Sequence, residues 1–198
     1  ALQSVRKLCL QELESLDDDP QSLVMLHLRD RHLPAPLNRH GYGEKNVLSS
    51  ATIEQVREHW NARPKPGGSI LSVAGAVDPN ALADALNRQL EGWSGTAEEP
   101  TPSGAAQRGI HHDKQDTAQA HIGLACDAPA EADEHAIPER LANAALSGGT
   151  SGRLFTEVRQ KRSLCYSVGA SYRTSRDWGY VRLYAGTTPQ RAQETVDV

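Results

Sequence analysis

The sequence predicts an α+β protein in two parts joined by a linker, with helices covering one face of an antiparallel sheet. Three observations lead there. Apolar residues recur at helical spacing near the start, at Val5, Leu8, Cys9, Leu13 and Leu16. Two alternating runs, 164–173 and 179–186, flank a turn-forming segment and read as an antiparallel hairpin, with Leu164, Tyr166, Val168, Ala170 and Tyr172 on one face. Residues 94–109 are rich in Gly, Pro and Ser and lack apolar periodicity, which predicts a linker between a part spanning 1–93 and a part spanning 110–198.

The elements follow in order. The first helix is expected to stop at Asp17-Asp18-Asp19-Pro20, with a second over 21–30 and a loop over 33–43. Thr52 and Gln55 have the spacing of a capping box, opening a third helix that runs to Trp60. Residues 70–75, Ile-Leu-Ser-Val-Ala-Gly, read as a buried strand. Asp78 caps a fourth helix with Pro79 at its first position, and Gly92 ends it. The second part begins with a strand over 118–126 and a helix over 133–146. A Gly-rich turn, 147–152, leads into a short helix over 153–161, and the hairpin follows. A last helix opens at Thr188-Pro189 and still runs at Val198.

Composition narrows the function. The 198 residues carry 21 Lys and Arg against 25 Asp and Glu, a net charge of −4 that does not suit a nucleic-acid partner. No apolar run approaches the roughly 18 residues of a membrane span. Cys9, Cys126 and Cys165 are odd in number and form no CxxC pair, so they are expected to be small buried hydrophobes and leave the compartment open. The chain starts without Met or a signal-peptide pattern, and both ends are expected to be cuts through a longer protein.

Glu12 shares the helical face of Val5, Leu8, Cys9 and Leu16. A carboxylate there needs a partner, a proton or a metal, or it reaches solvent at the edge of the stripe. The pairs His27/His32 and His111/His112 read as exposed or hydrogen-bonded histidines. The turn at Gly148-Gly149 lacks a following Lys-Ser/Thr, so it is expected to set the next helix rather than cradle phosphate. Arg159 and Tyr166 are seven apart. The first could pair with Glu157 or a distant acid, and the second could be plain core.

A resemblance sharpens these alternatives. The run Arg6-Lys7-Leu8-Cys9-Leu10-Gln11-Glu12-Leu13 with Asp18-Asp19-Pro20 resembles the helix bearing the distal zinc-ligand Glu of the pitrilysin/insulinase zinc metallopeptidases, a family that includes the mitochondrial processing peptidases. The likeness continues through Pro36-Leu37-Asn38-Arg39, Thr52-Ile53-Glu54-Gln55-Val56, Ser72-Val73-Ala74-Gly75 and Glu91-Gly92-Trp93. It resumes at Ser147-Gly148-Gly149-Thr150-Ser151-Gly152-Arg153-Leu154-Phe155 and is most specific over 158–168, Val-Arg-Gln-Lys-Arg-Ser-Leu-Cys-Tyr-Ser-Val.

The resemblance implies two related halves joined by a linker. It implies zinc held by an HxxEH helix and a distal Glu, with a zinc-bound water activated by the motif's own Glu. Glu12 matches the distal ligand, while Arg159 and Tyr166 match residues that hold the peptide backbone, a role suited to a guanidinium fork and a phenol. HxxEH is absent from the sequence, so no catalytic residue is expected in the chain and it should be inactive by itself. The family often has another acid seven positions before the distal ligand, where Val5 stands here. The implied function is therefore part of a zinc endopeptidase acting on peptides in a chamber between two halves. Its partners would be a peptide and the remaining halves of its own chain or a homologous subunit. The alternative is a catalytically dead homologue that supports an active peptidase. Were the match over 159–166 chance, the chain would be an unrelated α+β binding domain.

Overall fold

A computed structural model describes residues 2–198. The chain forms two compact units, one from residues up to 10 together with 44–101, the other from residues 11–43 and 102–198. Helix α1 (Leu2–Asp17) belongs to both.

The first unit contains the start of α1, α3 (Lys45–Ser50), α4 (Ile53–Ala62) and α5 (Pro79–Gln89). The helix starts match the sequence signals. Thr52 Oγ1 accepts from Gln55 N at 3.2 Å while Gln55 Oε1 accepts from Thr52 N at 2.8 Å, so two otherwise orphaned amides are satisfied. Asp78 accepts from Asn80 N and Ala81 N at 2.9 and 3.3 Å ahead of Pro79. Gly92 takes a left-handed φ of 81° three residues past α5, a conformation in which its missing Cβ removes the clash. Helix α3 was not legible, because Lys-Asn-Val-Leu-Ser-Ser offers no apolar stripe, and Ser49 and Ser50 bond back to the carbonyls of Lys45 and Asn46.

The expected buried strand at 70–75 does not form. Ile70 is 90 % exposed and Leu71 64 %, and the segment is irregular. A strand needs a neighbour for its backbone groups. Among the described residues of this unit, pairing is confined to a single bridge between Gly67 and Thr96.

The second unit holds α2 (Pro20–His32), β1 (Ala120–Ala128), α6 (Ala136–Ser147), β2 (Ser167–Thr174), β3 (Gly179–Thr187) and α7 (Ala192–Asp197). The three strands form one antiparallel sheet in the order β1-β3-β2, and the expected hairpin pairs Ser167 with Gly186 through to Thr174 with Gly179. Asp19 caps α2 by accepting from Ser22 N at 3.1 Å. Helix α2 lies on β1, with Val24 and Leu28 against Gly123, where a methyl group would stand 3.4–3.5 Å from their side chains. Helix α6 follows β2, whose Ala170 amide donates to Ser147 Oγ at 2.8 Å. It starts three residues later than expected because Asp133 Oδ1 takes the His135 amide at 2.8 Å and turns the chain first.

Val158, Leu164 and Cys165 form a buried cluster with Leu154 and Val168 against it, and Tyr180, Val181, Tyr184 and Ala185 are also buried. The cysteines depart from expectation. Cys165 is buried and its thiol is pushed up by burial, but Cys9 is half-buried and Cys126 exposed. Cys126 shares a strand face with Leu124, itself 46 % exposed, so the alternation was legible but not the lack of cover on that face. Among the described residues, no helix is long and apolar enough to cross a membrane.

Candidate functional site

Glu12 lies exposed near the middle of α1. Val5 and Leu8, expected to share a buried stripe with it, are 55 % and 60 % exposed, whereas Cys9, Leu13 and Leu16 are half-buried. The less exposed row of α1 is therefore the one through Cys9, Leu13 and Leu16, and Glu12 is exposed with Val5 and Leu8. Among the described residues, no group of three or more His, Cys, Asp or Glu stands ready to hold a metal. A catalytic zinc takes three protein ligands. Glu12 can supply one of them, and the residues present do not make a complete site.

The Gly-rich turn sets Arg159. Gly149 has a φ of 76° and requires glycine there, and a Cβ on Gly148 would strike the Ala144 carbonyl oxygen at 2.3 Å. The chain then winds as a π helix over Phe155–Gln160 rather than the expected α helix, with Lys161 N donating to Thr156 O five residues back at 2.9 Å. Val158 enters the core and Arg159 points out, its guanidinium 5.1 Å from the centre of the Phe155 ring. Glu157 is engaged by Lys161 at 2.7 Å and Arg162 at 3.0 Å, so the Arg159–Glu157 pair weighed above does not form.

Tyr166 stands just before β2, 41 % exposed, rather than in the core. Its amide donates to Gly186 O at 3.0 Å and its hydroxyl to Gln119 Oε1 at 2.6 Å. The ring lies on Gly186, where a Cβ would come within 2.7 Å of it. Burial pushes the Tyr166 phenol up. Burial, then the neighbouring Tyr166, pushes Tyr184 up to about 12, and Tyr184's hydroxyl meets His121 Nδ1 at 2.8 Å. Both phenols are therefore protonated at neutral pH. Tyr166 spends its one proton on Gln119, so any other acceptor would have to displace Gln119 to receive it. Arg159 and Tyr166 sit at opposite ends of the segment that carries Leu164 and Cys165 into the core beside Val158. Gln119 carried no signal in the sequence, being 47 residues from its partner.

Three of the four paired histidines lie against a polar partner. His27 Nδ1 meets Asp113 Oδ2 at 2.9 Å. His32 is buried beside Tyr180 and Asp127, and its pKa is lowered by that burial and then by Arg108, which itself grips Asp127. His111 Nε2 meets Gln107 O at 2.9 Å. Asp113 also receives both Arg31 Nη groups at 3.0 Å, and these bonds, with His27, hold its carboxyl at about 2. A carboxyl lowered on folding stabilises above its unfolded pKa, near 3.9, and the contribution disappears as pH falls through about 2. Asp113→Asn is expected to melt at a lower temperature than the parent chain at pH 6. The two melting curves should converge toward pH 2, as read by circular dichroism.

The second unit is thus an α+β layer that displays an arginine in the helix after a Gly-rich turn and a tyrosine just before β2. A family profile described as the peptidase M16 inactive domain matches residues 50–198. The chain belongs to that family. Its relatives include an uncharacterized zinc protease of Streptomyces coelicolor, 28% identical over 96% of this chain and 43% of its own length. Another is an uncharacterized zinc protease of Bacillus subtilis, 25% identical over 98% of this chain and 47% of its own. The chain therefore spans just under half the length of these curated relatives. Among solved structures, a peptidase M16 inactive domain from Pseudomonas fluorescens superposes with a TM-score of 0.78 at 21% identity. That match covers 99% of this chain and 48% of the other, and it supports the same α+β fold.

Proposed function

We propose that the chain is part of a zinc-dependent endopeptidase that cleaves peptides in a chamber between two halves. Residues 1–93 would be the end of the zinc-binding half, 94–109 the linker and 110–198 the start of the second half. Glu12 is the distal zinc ligand, and Arg159 and Tyr166 bind the peptide. The chain alone is inactive, since one carboxylate and no HxxEH leave it short of ligands and of a general base. Zinc, bound in the whole protein, would supply the Lewis acid. This chain's part is one ligand and a grip on the peptide.

Membership of the M16 family, with relatives named zinc proteases, is the observation that carries the reading. The exposed Glu12 carboxylate and the exposed Arg159 guanidinium are consistent with it. In the protein that joins these residues to the HxxEH region, Glu12→Gln is expected to lower bound zinc at least tenfold, measured by elemental analysis after dialysis. A whole protein that holds no zinc overturns the reading and leaves the second one, a catalytically inactive partner subunit. Val5, where the resemblance leads one to expect an acid, is the residue that favours that alternative.

A further inference from the structure

Arg182 sits in the middle of β3, between the buried Tyr180 and Tyr184 on the same strand face. It is half-buried, and its Nε donates to Ser171 Oγ at 2.9 Å. Among the described residues, no carboxylate pairs with it. Burial lowers the Arg182 pKa first, then the Arg173 cation, with Arg29 adding to it against the opposing effect of Tyr180. Arg173 shares its side of the sheet because it pairs with Tyr180. Arg29 is fixed by donating Nε and Nη2 to Leu37 O at 3.1 and 3.0 Å. Arg182 and Arg173 therefore lie on one side of the sheet, and the carboxylate that shares that side, Asp127, is already held by Arg108, so Arg182 keeps donors for an arriving anion.

Arg182 also lines a cavity of about 210 Å³ between α2 and β2. Ser167, Gly169 and Ser171 face the same side of β2 and line it, and Gln21 and Met25 of α2 line it opposite. The cavity is smaller than the roughly 300 Å³ at which small-molecule pockets begin, so it suits one side chain or a chain end. Its β2 wall, five residues of strand, runs about 13 Å, which favours an extended ligand over a compact ion. Ser171 accepts from Arg182, which leaves its own hydroxyl proton free to donate.

We propose that this cavity is a carboxylate-binding subsite for a peptide, taking an acidic side chain or a C-terminal carboxylate on the free donors of Arg182 with help from Ser167 and Ser171. The peptide nature of the ligand rests on the function proposed above. The carboxylate preference rests on the cavity alone.

The test uses the 198-residue chain and fluorescence anisotropy of matched labelled peptides. One set differs by Glu against Gln, the other by a free against an amidated C-terminus, and the two sets separate the two sources of carboxylate. At least one carboxylate form is expected to bind about tenfold more tightly than its neutral match. Arg182→Met should reduce that preference to within about twofold, and Arg182→Lys should retain part of it. Circular dichroism confirms that each variant is folded. A preference unchanged in folded Arg182→Met overturns the proposal, as does no preference in the parent chain. Inorganic phosphate competing as tightly as the better peptide also overturns it, in favour of a free-anion site. Glu12→Gln is expected to keep the preference, so a failure of the zinc reading leaves this result standing. A zinc-loaded, active whole protein without the preference overturns the subsite alone.

Discussion

Gly179→Ala is expected to destabilise the second unit by about 3 kcal/mol, at the upper end of what an overpacked methyl group costs. Gly179 opens β3, where it pairs with Ala128 on one side and Thr174 on the other. A Cβ there would lie 2.0 Å from the Pro129 carbonyl oxygen, 2.8 Å from its carbon and 2.9 Å from the Ala128 oxygen. All three atoms are backbone, so no rotamer change relieves the contact and the end of the β1–β3 pairing must open. Tyr172 holds the same place by donating its hydroxyl to Pro129 O, a bond that such a shift would stretch. At this chain length the loss corresponds to a melting temperature lower by about 9 °C. A variant that melts within 2 °C or so of the parent would show that the strand ends yield freely.

Leu164→Ala is expected to cost a similar amount, about 3 kcal/mol, for a different reason. Leu164 is 4 % exposed and packs with Val158 and Cys165, so truncation leaves a void in a small cluster that has few side chains able to fill it. Its backbone is fixed from both sides, since its amide donates to Val158 O at 3.0 Å and its carbonyl accepts from Thr187 Oγ1. The segment therefore cannot slide inward to close the gap. Chemical denaturation should show a lower midpoint. Because Tyr166 follows two residues later, its hydrogen bond to Gln119 should loosen as well, seen as higher mobility of the Tyr166 ring by NMR. Leu164→Ile, which nearly keeps the volume, should recover most of the stability.

These two positions show what could and could not be read from the sequence. Signals satisfied within four residues were legible: Thr52 with Gln55 and Asp78 with Pro79. The hairpin was legible too, because its strands are neighbours and its alternation persists. Features that need a distant partner were not. The apolar string at 70–75 reads as a strand whether or not another strand lies beside it. The face of α1 that is covered depends on packing, and so Val5 and Leu8 read as members of a buried stripe although they are exposed, while Cys9 and Leu16 are half-buried.

The candidate site divides in the same way. The Gly-rich turn was legible in local sequence and Arg159 and Tyr166 were singled out by the family resemblance, but the π winding, the Phe155 ring under Arg159 and the Gln119 contact were not. Arg182 left one trace that could have been used. In Tyr180-Val-Arg182-Leu-Tyr184, alternation puts the arginine on the same side as two tyrosines, and a charge on an aromatic strand face calls for a counter-ion.

Helix α2 rests on a strand that lies 95 positions further along the chain, counted from Leu28 to Gly123. Translation adds about 5–20 residues each second, so the helix emerges on the order of 5–20 s before the sheet that covers it exists. Over that interval Val24 and Leu28 have water or a chaperone for company. The second unit is thus assembled late, from an early piece that waits and a late piece that completes it, with most of the first unit synthesised between them.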